Sequence, residues 1–374
     1  MTHFVQEGPV ANFKRDRTTW ERGQYPLFSA LTLCGDRLGA SIAAAVWLAL
    51  APAAPAGAQT LTRGTLKMVV PFAPGGPSDV AGRIVAAGLS EVLGRSVIVE
   101  NPAGAGGTIG SLRVSRSTPD GSEFVLGNSG THVWSQALYK TPPYNTLTDF
   151  TPLGLVVEAP RVIIAPKNFP ADTLQEFIAY LKAKKGTAKY GHAGAGSASH
   201  VSCILFNAAI GVDIVAVPYR GLGPAMQDLT AGRIDYLCDS PSTSKPQIDG
   251  GFVKAIATTG EQRWYTLAQV PTVREQGVDF VIITWQGLFL AQNTPEPIVR
   301  ELNAALSNSL DLPLVRERFT QLGEQITQPE HRSPEHFRKF VADEIVRWSG
   351  PSRRVVSRSS ERGGAYPLRA DTAE

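Results

Sequence analysis

"VVPFAPGGPSDVAGRI", residues Val69 to Ile84, reads as an apolar strand, a sharp loop and the start of a helix. Nothing in Ala73-Pro74-Gly75-Gly76 is a nucleophile or a metal ligand; its plentiful chemical group is backbone N–H. Glycine allows the chain to turn sharply and approach a ligand with no Cβ in the way. Pro77 suits a first helical turn, where its missing N–H is no loss. A helix start presents orphan N–H groups and a partial positive charge, together an anion site. Phe72, Gly75, Gly76 and Ser78 are therefore candidate ligand-binding residues. Asp79 reads mainly as a cap acid that would repel an anion if it faced one.

Two further loops have the same logic. "YGHAGAGSASHVS", Tyr190 to Ser202, runs from a strand into an apolar helix and offers Gly194, Gly196, Ser197, Ser199 and His200. "LGNSGTHVWS", Leu126 to Ser135, places Ser129, Gly130 and Thr131 after another strand. All three lie at C-terminal strand ends, where open α/β sheets bind ligands.

The remaining pattern is α/β, short apolar runs alternating with helical periodicity and implying parallel strands. Strands are expected at Leu66–Pro71, Ser96–Glu100, Glu123–Gly127, Arg161–Ala165, Lys189–His192, Asp213–Val217, Tyr236–Asp239, Val253–Ala257 and Leu288–Ala291. Helices are expected from Ser78, Thr108, Thr173, Ser199, Gly223, Val273 and Pro297, with Asp172 capping and Gln175 three residues on. Crossovers near 158–163 and 280–289 divide the chain into lobe 1 (59–160 plus 285–348) and lobe 2 (161–284), with a cleft between, where small-molecule sites usually form.

Leu38–Leu50 is an apolar run of signal-peptide length, shorter than the ~20 residues of a membrane span. Ala56-Gly57-Ala58 has the form of a cleavage site, so residues 1–58 are expected to be a signal peptide, with Thr2–Tyr25 an over-long extension, and Gln59 the mature start. "LTLCGD" around Cys34 is a poor lipoprotein signal. The net charge of +3 resides in the two ends: residues 1–58 carry +1 and residues 349–374 carry +2, leaving a neutral body. Such a body has no long-range field for nucleic acid or an anionic membrane. The Arg- and Ser-rich tail, 349–374, is expected to be disordered. Cys203 and Cys238 are expected to be two separate buried thiols, pairing being the alternative in an oxidising compartment.

Enzyme motifs fail. "GAGGTIG" from Gly104 has Ile109 where a dinucleotide fingerprint wants its last glycine. There is no nucleotide P-loop, and "GNSGT" is not G-x-S-x-G. Ser197 and His200, three residues apart at a helix start, would cap more readily than react. His132, His192 and His200 lack metal-ligand spacing. No catalytic residue, metal or cofactor is expected.

"PFAPGGPSD", "ENPAGAGG", "AGAGSASH", "VPYRG", "VPTVREQGVDF" and "TWQGLFLAQNTPEPIVRELN" resemble, in order, the Bug-type extracytoplasmic receptors of tripartite tricarboxylate transporters. The likeness runs from about Leu66 to Trp348. It implies a two-lobed periplasmic-binding-protein fold (Venus flytrap, type II) holding a ligand carboxylate between two loops with backbone N–H groups and ordered waters. Those loops match Phe72–Asp79 and Gly194–His200, with Ser129–Thr131 reading the rest of the ligand. Tyr219, in "VPYRG", matches a cleft-facing loop and Asp239 an acidic position after the next strand. The resemblance implies a monomeric periplasmic receptor that hands a small organic carboxylate to membrane permease subunits; a sensing subunit of a signalling system is the alternative. Trp134 departs from the family pattern: it reads as a core aromatic, or, if it points inward, as favouring a flat ligand. Cys238 stands where a bulkier apolar residue is common.

Overall fold

The computed structural model describes residue 61 and residues 64–139 and 141–349. The expectations for residues 1–58 and for the tail beyond Ser349 lie outside the described residues.

Apolar runs form the strands and amphipathic stretches the helices. In chain order the elements begin β1 (Leu66–Val69), α1 (Pro77–Leu93), β2 (Val97–Glu100), α2 (Thr108–Ser115), β3 (Glu123–Asn128), α3 (Ser135–Leu138) and β4 (Phe150–Pro160). The second group is β5 (Val162–Pro166), α4 (Leu174–Ala183), β6 (Lys189–His192), α5 (Ala198–Ile210), β7 (Val215–Pro218), α6 (Leu222–Thr230), β8 (Tyr236–Asp239), α7 (Pro241–Asp249) and β9 (Val253–Thr258). The chain then returns through β10 (Ile283–Ala291), α8 (Glu296–Asp311), α9 (Pro313–Leu322), β11 (Gln325–Ile326) and α10 (Pro334–Ser349).

These strands make two sheets, β11-β4-β10-β3-β1-β2 and β7-β6-β8-β5-β9. Each is mixed rather than wholly parallel. β1 runs parallel to β2 and β3, whereas β10 is antiparallel to β3 and β4. β6 runs parallel to β7 and β8, whereas β5 is antiparallel to β8 and β9. The antiparallel strands are those at the two passages between sheets, where direction is set by the crossing rather than by a βαβ unit. One core lies under α1 and α8 around Met68, Phe124, Leu126 and Leu302. On the other face of that sheet are Trp134, Phe150, Trp285 and Phe289. The second sheet buries Phe177, Phe206 and Tyr236 on one face and Leu229, Leu237 and Val253 on the other, and Phe72 joins this last group.

The two passages are stitched together. Arg161 N–H donates to Thr259 Oγ1 (2.7 Å), and Thr259 N–H donates back to the Arg161 carbonyl (2.9 Å). Thr259 Oγ1 donates to the Ile282 carbonyl (2.7 Å), and Ile282 N–H to the Thr259 carbonyl (2.9 Å). A buried polar backbone at such a junction must find partners, and one threonine supplies them for both strands.

Three expectations change. Cys203 on α5 and Cys238 on β8 form a disulfide rather than two separate thiols, their Cα atoms 5.7 Å apart. The helix packs on the sheet at this point, which brings the two within bridging reach; their spacing in sequence does not reveal it. This also accounts for a small residue at 238. Residues 273–277 form a turn, not a helix, closed by Gly277 at φ +88°. The cap of α4 is Thr173 in a reciprocal pair with Glu176, one residue on from the expected Asp172 and Gln175.

Candidate functional site

At the start of α1 the first main-chain bonds run from Asp79 and Val80 N–H to the Gly76 carbonyl (both 3.0 Å). No side chain caps this end, so the Gly76 and Ser78 amides are open to another acceptor. At the start of α5, Ser197 Oγ accepts from His200 N–H (3.3 Å), and Val201 N–H donates to the Ser197 carbonyl (3.1 Å). The Ala198 and Ser199 amides are left open in the same way. Both helix starts line one cavity of about 40 Å³. From the first sheet's side come Phe72, Gly76, Pro77, Ser78, Asn128, Thr284, Trp285 and Gln286, and, just before β11, Glu324. From the second come Arg161, Ala193, Ser197, Ala198, Ser199, Leu222 and Ser240.

The apposition is close. Ala73 N–H donates to the Arg220 carbonyl (3.0 Å), and Tyr139 OH to the Ala195 carbonyl (3.3 Å). A Cβ on Gly130 would lie 2.3 Å from Ala198 N, and one on Gly223 would lie 2.4 Å from the Pro74 carbonyl oxygen. Only glycine permits either contact.

Of the residues singled out from sequence, Phe72, Gly76, Ser78, Ser197 and Ser199 line this cavity. Others point elsewhere. Asp79 caps nothing: its carboxylate accepts from Gly75 N–H, Arg83 Nε and Asn101 Nδ2, each at 3.0 Å. Burial works to raise its pKa, but these hydrogen bonds and the Arg83 charge hold it below the ordinary range. It braces Gly75, whose φ of +82° shapes the loop. Ser129 Oγ accepts from Trp285 N–H (3.0 Å), and Thr131 Oγ1 accepts from Asn128 N–H (3.0 Å) and meets His132 Nδ1. Of this segment, Asn128, one residue earlier, lines the cavity. Gly196 N–H donates to His200 Nδ1 (3.3 Å), and the His200 ring lies against His192; burial, then His192, keeps His200 neutral. Tyr219 OH donates to Asp228 (2.7 Å), outside the cavity. Trp134 is a core residue, edge-on to Trp348.

Asp239 is fully buried at the end of β8, behind the cavity-lining Ser240, and burial raises its carboxyl to about 6 against a hydrogen bond from Thr243. Glu324 is also raised by burial and accepts from Ser240 Oγ (2.6 Å). Sequence reasoning missed Glu324, Trp285, Gln286 and Arg161. The signal for Arg161 was present, a lone charge in the apolar run "APRVIIAP", since a charge almost never buries without a partner. Among the described residues no cluster of His, Cys, Asp and Glu is placed to hold a metal ion.

Two lobes joined by a double passage, with facing helix starts, define the two-lobed solute-binding class. The comparisons agree. The family model for the tripartite tricarboxylate transporter family receptor matches residues 81–353. MatC from Rhodopseudomonas palustris, solved with bound malate, is 41% identical with a TM-score of 0.75, covering 79% of this chain and 99% of that one. The periplasmic binding protein BugD is 37% identical with a TM-score of 0.76, covering 79% and 98%. A protein from the TAR-I ttuE-ttuC' intergenic region of Agrobacterium vitis is 40% identical over 68% of this chain and 74% of its own length. The chain belongs to the tripartite tricarboxylate transporter receptor family, of the Bug type, and is a solute-binding protein rather than an enzyme.

Proposed function

We propose that this protein is exported, works as a single chain, captures a small organic carboxylate between its lobes and delivers it to a membrane permease of the tripartite tricarboxylate type. The observation that carries the reading is the pair of helix starts with open amides on one cavity. Burying a carboxylate is costly unless its charge is met. One helix terminus contributes up to ~2 kcal/mol when partly buried, and charge-assisted hydrogen bonds about 1.5–3 kcal/mol each. A micromolar complex needs about 8 kcal/mol, which two helix starts supply at middling values and one alone reaches only if every contribution is at its upper limit. The malate bound to MatC supports the ligand class, and the disulfide supports an oxidising compartment.

A thermal-shift screen of mono-, di- and tricarboxylates at about 1 mM tests this. At a hundredfold excess over Kd, binding adds about 2.7 kcal/mol, and the midpoint rises by roughly 5–10 °C. If no carboxylate moves the midpoint, the reading is wrong.

A further inference from the structure

The two helix starts meet one anionic group; the cavity holds a second, unassigned feature. Arg161 lies on the passage between β4 and β5, is 6% exposed, and lines the cavity. Its Nε is buried without a hydrogen-bond partner, and among the described residues it forms no ion pair. Asp239 and Glu324 act on it only through their longer-range field. A buried guanidinium in this state is expensive unless a planar anion completes it, and its fork suits a carboxylate. Its main chain is held by Thr259, so the side chain is presented from the lobe 2 end of the hinge.

Resting on the carboxylate-receptor reading, we propose that Arg161 is the specificity-determining residue that pairs with a second carboxylate of the ligand, at the hinge end of the cleft, making the protein selective for diacids. Glu324, which lines the same cavity from the first sheet's side, opposes that second charge and sets how strongly it is bound.

The test is calorimetric titration of the full chain with malate and with 3-hydroxybutyrate, which lacks the second carboxylate. Wild type is expected to prefer malate by about a hundredfold. Arg161→Gln lowers malate affinity to that of 3-hydroxybutyrate and leaves the monoacid unchanged, the main-chain bonds to Thr259 being untouched. Glu324→Gln, which keeps an acceptor for Ser240, raises the preference for malate several-fold. Equal weakening of both acids by Arg161→Gln, or an unchanged preference in Glu324→Gln, overturns the assignment. Should wild type bind monoacids alone, the assignment falls and the carboxylate-receptor reading survives; should it bind neither acid nor any other carboxylate, both fall.

Discussion

Gly130→Ala is expected to weaken carboxylate binding by roughly a hundredfold, about 3 kcal/mol, while leaving each lobe folded. The three nearest atoms to an added methyl all belong to the opposite lobe: Ala198 N at 2.3 Å, the Ser197 carbonyl carbon at 2.7 Å and the Gly196 oxygen at 3.0 Å. The methyl both covers the Ala198 amide and holds the α5 start away from α1, removing one or two charge-assisted bonds of about 1.5–3 kcal/mol each. Circular dichroism and the unliganded melting midpoint should be nearly those of wild type, since parting the lobes relieves the contact and a Gly→Ala change within one lobe is worth only about 0.5–1 kcal/mol. Calorimetry showing undiminished affinity would mean that the two lobes need not approach at this point to bind.

The second large effect is on stability. The Cys203–Cys238 disulfide closes a span of 35 residues, and loop-closure entropy assigns such a bridge about 4 kcal/mol. Cys203→Ala with Cys238→Ala, or reduction, should lower the midpoint by about 8–16 °C at 2–4 °C per kcal/mol. Ligand affinity should change less, because the bridge ties α5 to β8 behind the cavity rather than lining it. A midpoint that does not move would show that packing of Phe177, Phe206 and Tyr236 holds this face without the bridge.

Local chemistry was legible from sequence, and apposition was not. The loops at Gly75-Gly76 and Gly194–Ser199 declare themselves because glycine, proline and serine at a strand-to-helix junction have few other uses. β4 did not, since Pro152, Gly154 and Pro160 interrupt its apolar pattern. α7 carries Pro246 inside and was likewise unread. The direction of a side chain depends on register and on neighbours distant in sequence. Ser129 bonds to the backbone of Trp285, and Tyr219 turns to Asp228, for reasons that lie in the tertiary fold. The same holds for Glu324 and Arg161, which line one cavity from its two sides although they lie far apart in the chain.

A crystal structure of the protein with malate bears most directly on the proposed mode of binding. One carboxylate is expected within about 2.7–3.2 Å of an amide at Gly76 or Ser78 and of another at Ala198 or Ser199. A malate held by side chains alone, or bound with neither helix start in contact, would contradict it.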